Sequence, residues 1–300
     1  MPADIDICIC TFRRPQLAAT LKSIKDLRGV DGVSLQAIIA DNDETPSAWA
    51  LVESLTDQLP FPVRYVHAPA RNISLARNAC LAASDAPLLA FIDDDECAAP
   101  DWLAALLARH RDGGAGVVLG PVRSHYPENA PAWLREGDFH SIQPVWVRGR
   151  IITGYTSNVL MARRDAALAG LAFDLGLGRS GGEDTSFFAA YHAAGGRIDF
   201  APDAAVTEDV APQRLALGWL MRRAFRSGQT HGQLLSARAG SRLRVIINVG
   251  VASAKASFCG AMAVLSVASR RRAAAWLIRG SLHAGAVARM LGMVELTQYG

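Results

Sequence analysis

The 300 residues hold 31 Lys and Arg against 28 Asp and Glu, a formal net charge of +3, with half of the residues apolar and a fifth charged. That imbalance is too small to argue for nucleic-acid binding. The length accommodates one large α/β domain with an appendage, or two small domains.

The chain begins Met1-Pro2-Ala3-Asp4, with no basic n-region and no apolar h-region, so no export signal is expected and the reading is cytoplasmic. Residues 5–10 predict a strand, in which Cys8 and Cys10 share a face as small buried hydrophobes. With Cys80, Cys97 and Cys259 they form an odd set lacking C-x-x-C spacing, which suggests neither a disulfide framework nor a zinc site and fits a reducing compartment. Pro15 occupies a first helical position, and Leu17, Leu21, Ile24 and Leu27 recur at helical spacing. Residues 35–40 predict a second strand that stops at Asp41-Asn42-Asp43. Thr45-Pro46 caps a helix with Leu51, Val52, Leu55 and Leu59 on one face. Residues 63–66 predict a third strand, 73–84 a helix, and 88–92 a fourth strand running into Asp93-Asp94-Asp95-Glu96. Pro100 opens the next helix, and residues 116–119 give another strand. From 124 to 150 the pattern loosens into Pro, Trp and charge without a period. Residues 151–161 read as a strand, 181–194 as a loop entering a helix, 197–200 and 204–206 as short strands, and everything past Arg214 as helical.

Strands alternating with helices imply βαβ crossovers and a largely parallel sheet. Ligands of such sheets bind outside the carboxyl ends of the strands. The polar clusters fall at those ends: Thr11 to Arg14, Asp41 to Asp43, and Asp93 to Glu96. Adjacent carboxylates raise one another's pKa unless a cation neutralises them, and a hard ion such as Mg²⁺ or Mn²⁺ would do so while gripping phosphate oxygens. The other reading is a solvated acidic turn. Glu183-Asp184, after Gly181-Gly182, suit either helix capping or proton abstraction from an attacking hydroxyl. Arg71, Arg77 and Asn78 suit surface salt bridges or a base or phosphate contact. Arg222, Arg223 and Arg226 on a later helix suit a solvated face or a diphosphate.

Together these residues resemble family 2 glycosyltransferases of the GT-A fold, especially non-processive bacterial enzymes of exopolysaccharide assembly such as succinoglycan glucosyltransferases. The matching pieces are Ile9-Cys10-Thr11-Phe12-Arg13-Arg14-Pro15, Ile39-Ala40-Asp41-Asn42-Asp43, Ser74-Leu75-Ala76-Arg77-Asn78, Phe91-Ile92-Asp93-Asp94-Asp95 and Gly182-Glu183-Asp184-Thr185, in the family's order over about residues 5 to 230. The resemblance implies a Rossmann-like, mostly parallel sheet flanked by helices, with a catalytic domain over 1–240 and a helical extension over 241–300. It implies donor contacts from Thr11, Arg14, Asp41, Arg71, Arg77, Asp93, Asp94, Arg223 and Arg226, with Asp41 reading the base. A divalent ion would be held by Asp95, Asp93 and Glu208, the last standing where many relatives carry histidine. Asp184 would be the base, with Glu183 beside it. The Q-x-x-R-W signature of processive synthases is absent around Gln213 to Trp219, which favours single-sugar addition. Trp133, Trp146 and Asn158 are the acceptor-binding candidates, although the tryptophans would equally suit a core.

The implied reaction is inverting transfer from a nucleotide sugar, a UDP-sugar first, to a saccharide or lipid-linked acceptor. The rival readings are a nucleotidyltransferase, which would want a glycine-rich loop with lysine after the first strand, and a non-catalytic nucleotide-sugar-binding module, which needs no base. Residues 245–268 are apolar except for Lys255 and several Ser and Asn, and arginines bracket them. A lysine at the centre of a span costs about 2.5–3.5 kcal/mol on insertion scales, so a helix lying on an anionic inner-membrane surface is expected rather than one crossing it.

Overall fold

The computed structural model describes residues 3–294. β1 (Ile5–Thr11), α1 (Leu17–Lys25), β2 (Leu35–Asp41), α2 (Trp49–Thr56), β3 (Val63–His67), α3 (Ile73–Ala83) and β4 (Leu88–Ile92) alternate as the sequence pattern requires. β1 pairs in parallel with both β2 and β4, its residues running in register from Ile5↔Leu35 to Thr11↔Asp41 and from Ile5↔Leu88 to Cys8↔Phe91. That register brings Thr11, Asp41 and the Asp93 turn to one edge of the sheet. β1 and β2 are almost wholly buried, as expected of parallel strands covered on both faces.

The chain continues through β5 (Glu96–Ala98), α4 (Trp102–Gly113), β6 (Val117–Leu119), β7 (Val122–His125), α5 (Ala132–Gly137), β8 (Trp146–Val147), β9 (Arg150–Ile151), β10 (Asn158–Ala162), α6 (Glu183–Ala193), β11 (Ile198–Phe200) and β12 (Val206–Asp209). Among the described residues the main sheet has nine strands, ordered β3-β2-β1-β4-β10-β6-β11-β9-β8, beside a three-stranded sheet ordered β5-β12-β7. β10 runs antiparallel to both β4 and β6, so the sheet is mixed rather than wholly parallel. The small sheet sets Glu208 of β12 directly across from Glu96 of β5, carrying a distant acid to the Asp93 turn.

Two apolar layers sandwich the main sheet. Leu17, Leu21, Val52, Leu103 and Leu106 cover one face, and Ala76, Cys80, Phe173, Phe187 and Phe188 the other. The stretch expected as one strand over 151–161 is broken: β9 ends at Ile151 and β10 begins at Asn158. The patternless 124–150 region contains the second half of β7, the short α5 and nearly all of the β8–β9 hairpin, which turns on Arg148 and Gly149, both at positive φ.

α7 (Leu217–Ala237), α8 (Arg242–Leu265) and α9 (Arg270–Met290) complete the chain. α7 and α9 pack backbone to backbone: a Cβ on Gly228 or Gly285 would run into the carbonyl oxygen of Leu282 or Phe225. α9 also reaches α5, where Trp133, Leu134, Leu220 and Ala274 form a third cluster. A boundary at 240 therefore parts α7 from the helix it packs on. α8 buries only small residues, Ala252, Cys259 and Ala263, and exposes Leu243, Ile246, Ile247, Val251, Phe258, Val264 and Leu265. At 100° per residue those exposed side chains fall within one apolar stripe.

Candidate active site

At the sheet edge, Asp41 is fully buried and its carboxylate organises the following loop. It accepts the Asp43 amide (3.0 Å) on Oδ1, and the Ala48 amide (2.8 Å) and the Tyr65 hydroxyl (2.6 Å) on Oδ2. A carboxylate engaged in this way shapes the pocket through the loop it holds. Asp43 in turn anchors Arg13 at 2.8 Å, and Arg71 lies 3.5 Å from Glu44. Both arginines have positive φ and place their guanidinium carbons 5.4 and 5.9 Å from the centroid of the Phe12 ring. Strained backbone of this kind gathers at functional sites. Buried Thr11 and exposed Arg14 flank the same loop.

The Asp93 turn concentrates negative charge. Burial pushes the Asp93 carboxyl up to about 7, with Asp95, Asp94 and Glu208 adding repulsion against the pull of Arg77. Asp94 is likewise pushed up to about 7 by burial, opposed by Thr11 and Arg14. Glu96 is buried and accepts the Asp93 amide at 3.0 Å, fixing the turn. Asp95 lies between two cations, Arg14 Nη1 at 3.4 Å and Arg214 Nη2 at 3.9 Å, and Arg214 Nη1 also grips Glu208. Arg214 was missed in the sequence because nothing marks it among the arginines that follow. Its six-residue distance from Glu208, across a short turn, was the available signal.

Among the described residues no three His, Cys, Asp or Glu side chains are gathered as a ready-made metal cage. Asp93, Asp95 and Glu208 therefore do not form one ligand set here, because Glu208 is taken by Arg214. The donors nonetheless suit a hard ion. Mg²⁺ is commonly held by one or two carboxylates with substrate phosphates supplying the rest, and the mutual repulsion around Asp93 is the environment a divalent cation relieves.

Across the site, Gly181 and Gly182 adopt φ of 86° and 90°, and a Cβ on Gly182 would also strike Thr230 of α7. Those left-handed turns bring the chain into the first residues of α6. Glu183 is buried and paired with buried Arg77. Asp184 accepts the Thr185 amide (2.6 Å) and hydroxyl (3.3 Å). Burial and the neighbouring Glu183 push the Asp184 carboxyl up to about 6, while Arg77 pulls it down. Arg77 also feels Asp93, so one buried guanidinium links the two carboxylate groups electrostatically. Arg226 donates to the Ser180 carbonyl (3.1 Å), tying α7 to the glycine turn. Arg223 lies over the Trp219 ring, 5.6 Å from its centroid, and its charge senses Glu208.

Two acceptor candidates are corrected. Asn158 is fully buried; it accepts from Trp102 Nε1 (2.8 Å) and donates to the carbonyls of Pro121 (3.0 Å) and Ala204 (2.7 Å). Both of its amide hydrogens are used within the core, and none of its surface is open to a sugar. Trp133 is a core residue of the α5–α7–α9 cluster under Arg270, 5.3 Å from its ring centroid. Trp146 is exposed on the β8–β9 hairpin.

A Rossmann-like sheet with donor loops and an acidic turn at its carboxyl edge, facing a carboxylate at a helix start, defines a glycosyltransferase of the GT-A class. The family model for Glycosyl transferase family 2 matches residues 6–168, and the chain belongs to that family. It is 51% identical over 296 residues, 99% of this chain and 96% of the other, to the succinoglycan biosynthesis protein ExoM of Rhizobium meliloti (strain 1021). Two solved structures share the fold. The mannosyltransferase PcManGT of Pyrobaculum calidifontis, in complex with GDP-Man and Mn²⁺, aligns at TM-score 0.61 and 16% identity over 95% of this chain and 87% of that one. S. aureus TarS 1-349 in complex with UDP aligns at TM-score 0.54 and 14% identity over 95% and 90%. Of a longer TarS chain this protein spans 52%.

Proposed function

We propose that the protein transfers a single sugar, with inversion, from a nucleotide sugar to an acceptor hydroxyl in exopolysaccharide assembly. UDP-sugars are the first donors to test. The observation that carries the reading is Asp184, held at the start of α6 with its carboxyl pushed up and linked through Arg77 to the Asp93 turn. The full-length similarity to a succinoglycan biosynthesis protein supports the pathway class. The complexes of PcManGT with GDP-Man and Mn²⁺ and of TarS with UDP support a nucleotide donor and a divalent ion.

In this reading Thr11, Arg71 and the loop organised by Asp41 receive the nucleotide. Asp93 and Asp95 would hold Mg²⁺ or Mn²⁺, which when bound would offset the charge that grows on the departing nucleoside diphosphate. Arg14 and Arg223 add positive charge on the same side. Asp184 takes the acceptor's hydroxyl proton as that oxygen attacks the anomeric carbon opposite the leaving group. Exposed Trp146 offers its indole face to an acceptor sugar.

The acceptor is read as lipid-linked, at the cytoplasmic face of the inner membrane. The supporting feature is α8, long and apolar enough to cross a bilayer by length and composition, yet arranged with an exposed apolar stripe and with Arg242 and Arg244 at its N-terminal end. A helix lying in the interface uses all of these features. A panel of nucleotide sugars, assayed for nucleoside diphosphate release with Mn²⁺ and with EDTA, tests the proposal. Turnover of one donor, lost on chelation, is expected. Inertness toward every donor, or release of pyrophosphate in place of nucleoside diphosphate, would overturn it.

A further inference from the structure

We propose that Arg214 is a tethered cation that closes the acidic pocket of the free protein, and that its guanidinium must leave Asp95 before a divalent ion settles there. The inference rests on the reading of Asp93 and Asp95 as the carboxylates that hold the ion.

The fold creates a need for such a cation. The pairing of β12 with β5 sets Glu208 across from Glu96, beside Asp93 and Asp95. Like charges placed directly across a strand pair are destabilising. Arg214 answers that crowding from a single turn at Pro212–Arg214, between β12 and α7. One of its terminal nitrogens grips Glu208 and the other lies 3.9 Å from Asp95 Oδ2, the same oxygen that Arg14 Nη1 approaches at 3.4 Å. Asp95 and Glu208 are 19% and 14% exposed and Arg214 25%, so the bridge is partly shielded from water.

The main chain of Arg214 is fixed while its side chain has somewhere to go. Its amide donates to the Ala211 carbonyl at 2.8 Å, and its own carbonyl accepts from His140 Nε2 at 3.0 Å. That leaves His140 Nδ1 as the acceptor for the Tyr126 hydroxyl at 2.9 Å. The His140 ring stacks on Trp219, at 5.4 Å and 23°. The Arg214 guanidinium carbon is already 5.6 Å from the Trp219 centroid, so on releasing the carboxylates it keeps an aromatic contact, on a ring that Arg223 also lies over at 5.6 Å. Backbone anchor, carboxylate bridge and aromatic rest position together describe a latch that moves by side-chain torsions alone. Because the guanidinium and a divalent ion compete for Asp95, the latch sets how tightly the free chain takes up metal.

The test is Mn²⁺ binding to the full chain without nucleotide, by calorimetry, for the wild type, Arg214→Gln, Arg214→Lys and Arg222→Gln. Arg222 is an exposed arginine on α7, the helix that follows Arg214, and controls for a general loss of positive charge. Arg214→Gln is expected to bind about tenfold tighter than the wild type. Arg214→Lys, whose single ammonium cannot bridge both carboxylates, is expected to fall between the two. Arg222→Gln should stay within about twofold of the wild type. If Arg214→Gln does not fold, tighter binding by Arg214→Lys decides the matter. Wild-type binding that neither Arg214 variant tightens, or equal tightening by Arg222→Gln, overturns the latch and leaves the metal reading standing. A wild type that takes no Mn²⁺ with or without UDP overturns the metal reading, and the latch with it.

Discussion

Arg77 sits where the two halves of the proposed chemistry meet. Its guanidinium is paired with buried Glu183, and its charge reaches Asp184 and Asp93. Removing one partner of a buried ion pair strands the other without solvent, a loss of about 3–5 kcal/mol. Arg77→Met is therefore expected to lower thermal stability sharply, whereas Arg77→Lys, which keeps the charge, should lower it far less. The pH profile gives a second readout. A base works in its ionised form, so with Asp184 pushed up to about 6 the turnover should fall as pH drops through that value. Weakening Arg77 removes an influence that lowers this pKa, so the acid limb should move to higher pH in any folded Arg77 variant. A limb that stays in place would show that Asp184 is not the group titrating. The residue types at this centre were legible in the sequence, because the acidic run follows a predicted strand and the acid pair follows two glycines. That Glu183, rather than Asp184, pairs with Arg77 was not legible, since it depends on which side chain faces the guanidinium.

The early strands and helices follow from period, and each β1-to-β4 element was readable because it is long enough to show alternation or a 3.6-residue repeat. The expected caps did not hold, since α1 begins at Leu17 and α2 at Trp49 without a side-chain cap. The elements that escaped are short. β5, β8, β9 and α5 have two to six residues each and exist because of what they pair with or pack on. The antiparallel direction of β10 and the core role of Asn158 are likewise long-range outcomes, set by Trp102 and the Pro121 and Ala204 carbonyls. At the C-terminal end, the helical pattern was visible but the pairing of α7 with α9 was not. That pairing depends on Gly228 and Gly285, where a side chain would collide with the opposing backbone. Gly285→Val should cost about 3 kcal/mol, at the upper end of overpacking penalties because rigid backbone cannot yield. Denaturant unfolding measures it, and a cost below about 0.5 kcal/mol, the range of ordinary surface substitutions, would contradict the packing described.

For the molecule as a whole, the sheet edge proposed to bind the donor is joined through α7 to a helical platform with an exposed apolar stripe. Deleting α8 and α9 would strip α7 and the Trp133 cluster of their packing, so point changes on the stripe are the sounder probe of membrane attachment. Ile247→Glu with Phe258→Glu should release the protein from anionic liposomes while leaving its unfolding midpoint nearly unchanged, since both side chains are exposed. Each apolar side chain buried in lipid is worth about 1.5–3 kcal/mol, so the double change should lower partitioning at least tenfold. Undiminished binding would assign the stripe to another partner. The central claim, however, is that Asp184 is the base of a sugar transfer whose donor binds elsewhere in the site. The most direct measurement compares Asp184→Asn with the wild type, taking donor affinity by calorimetry with Mn²⁺ and turnover by nucleoside diphosphate release with an acceptor. The account predicts donor affinity within about threefold of the wild type and turnover reduced at least about 100-fold. Turnover retained by Asp184→Asn, or donor affinity lost in step with the rate, would contradict it.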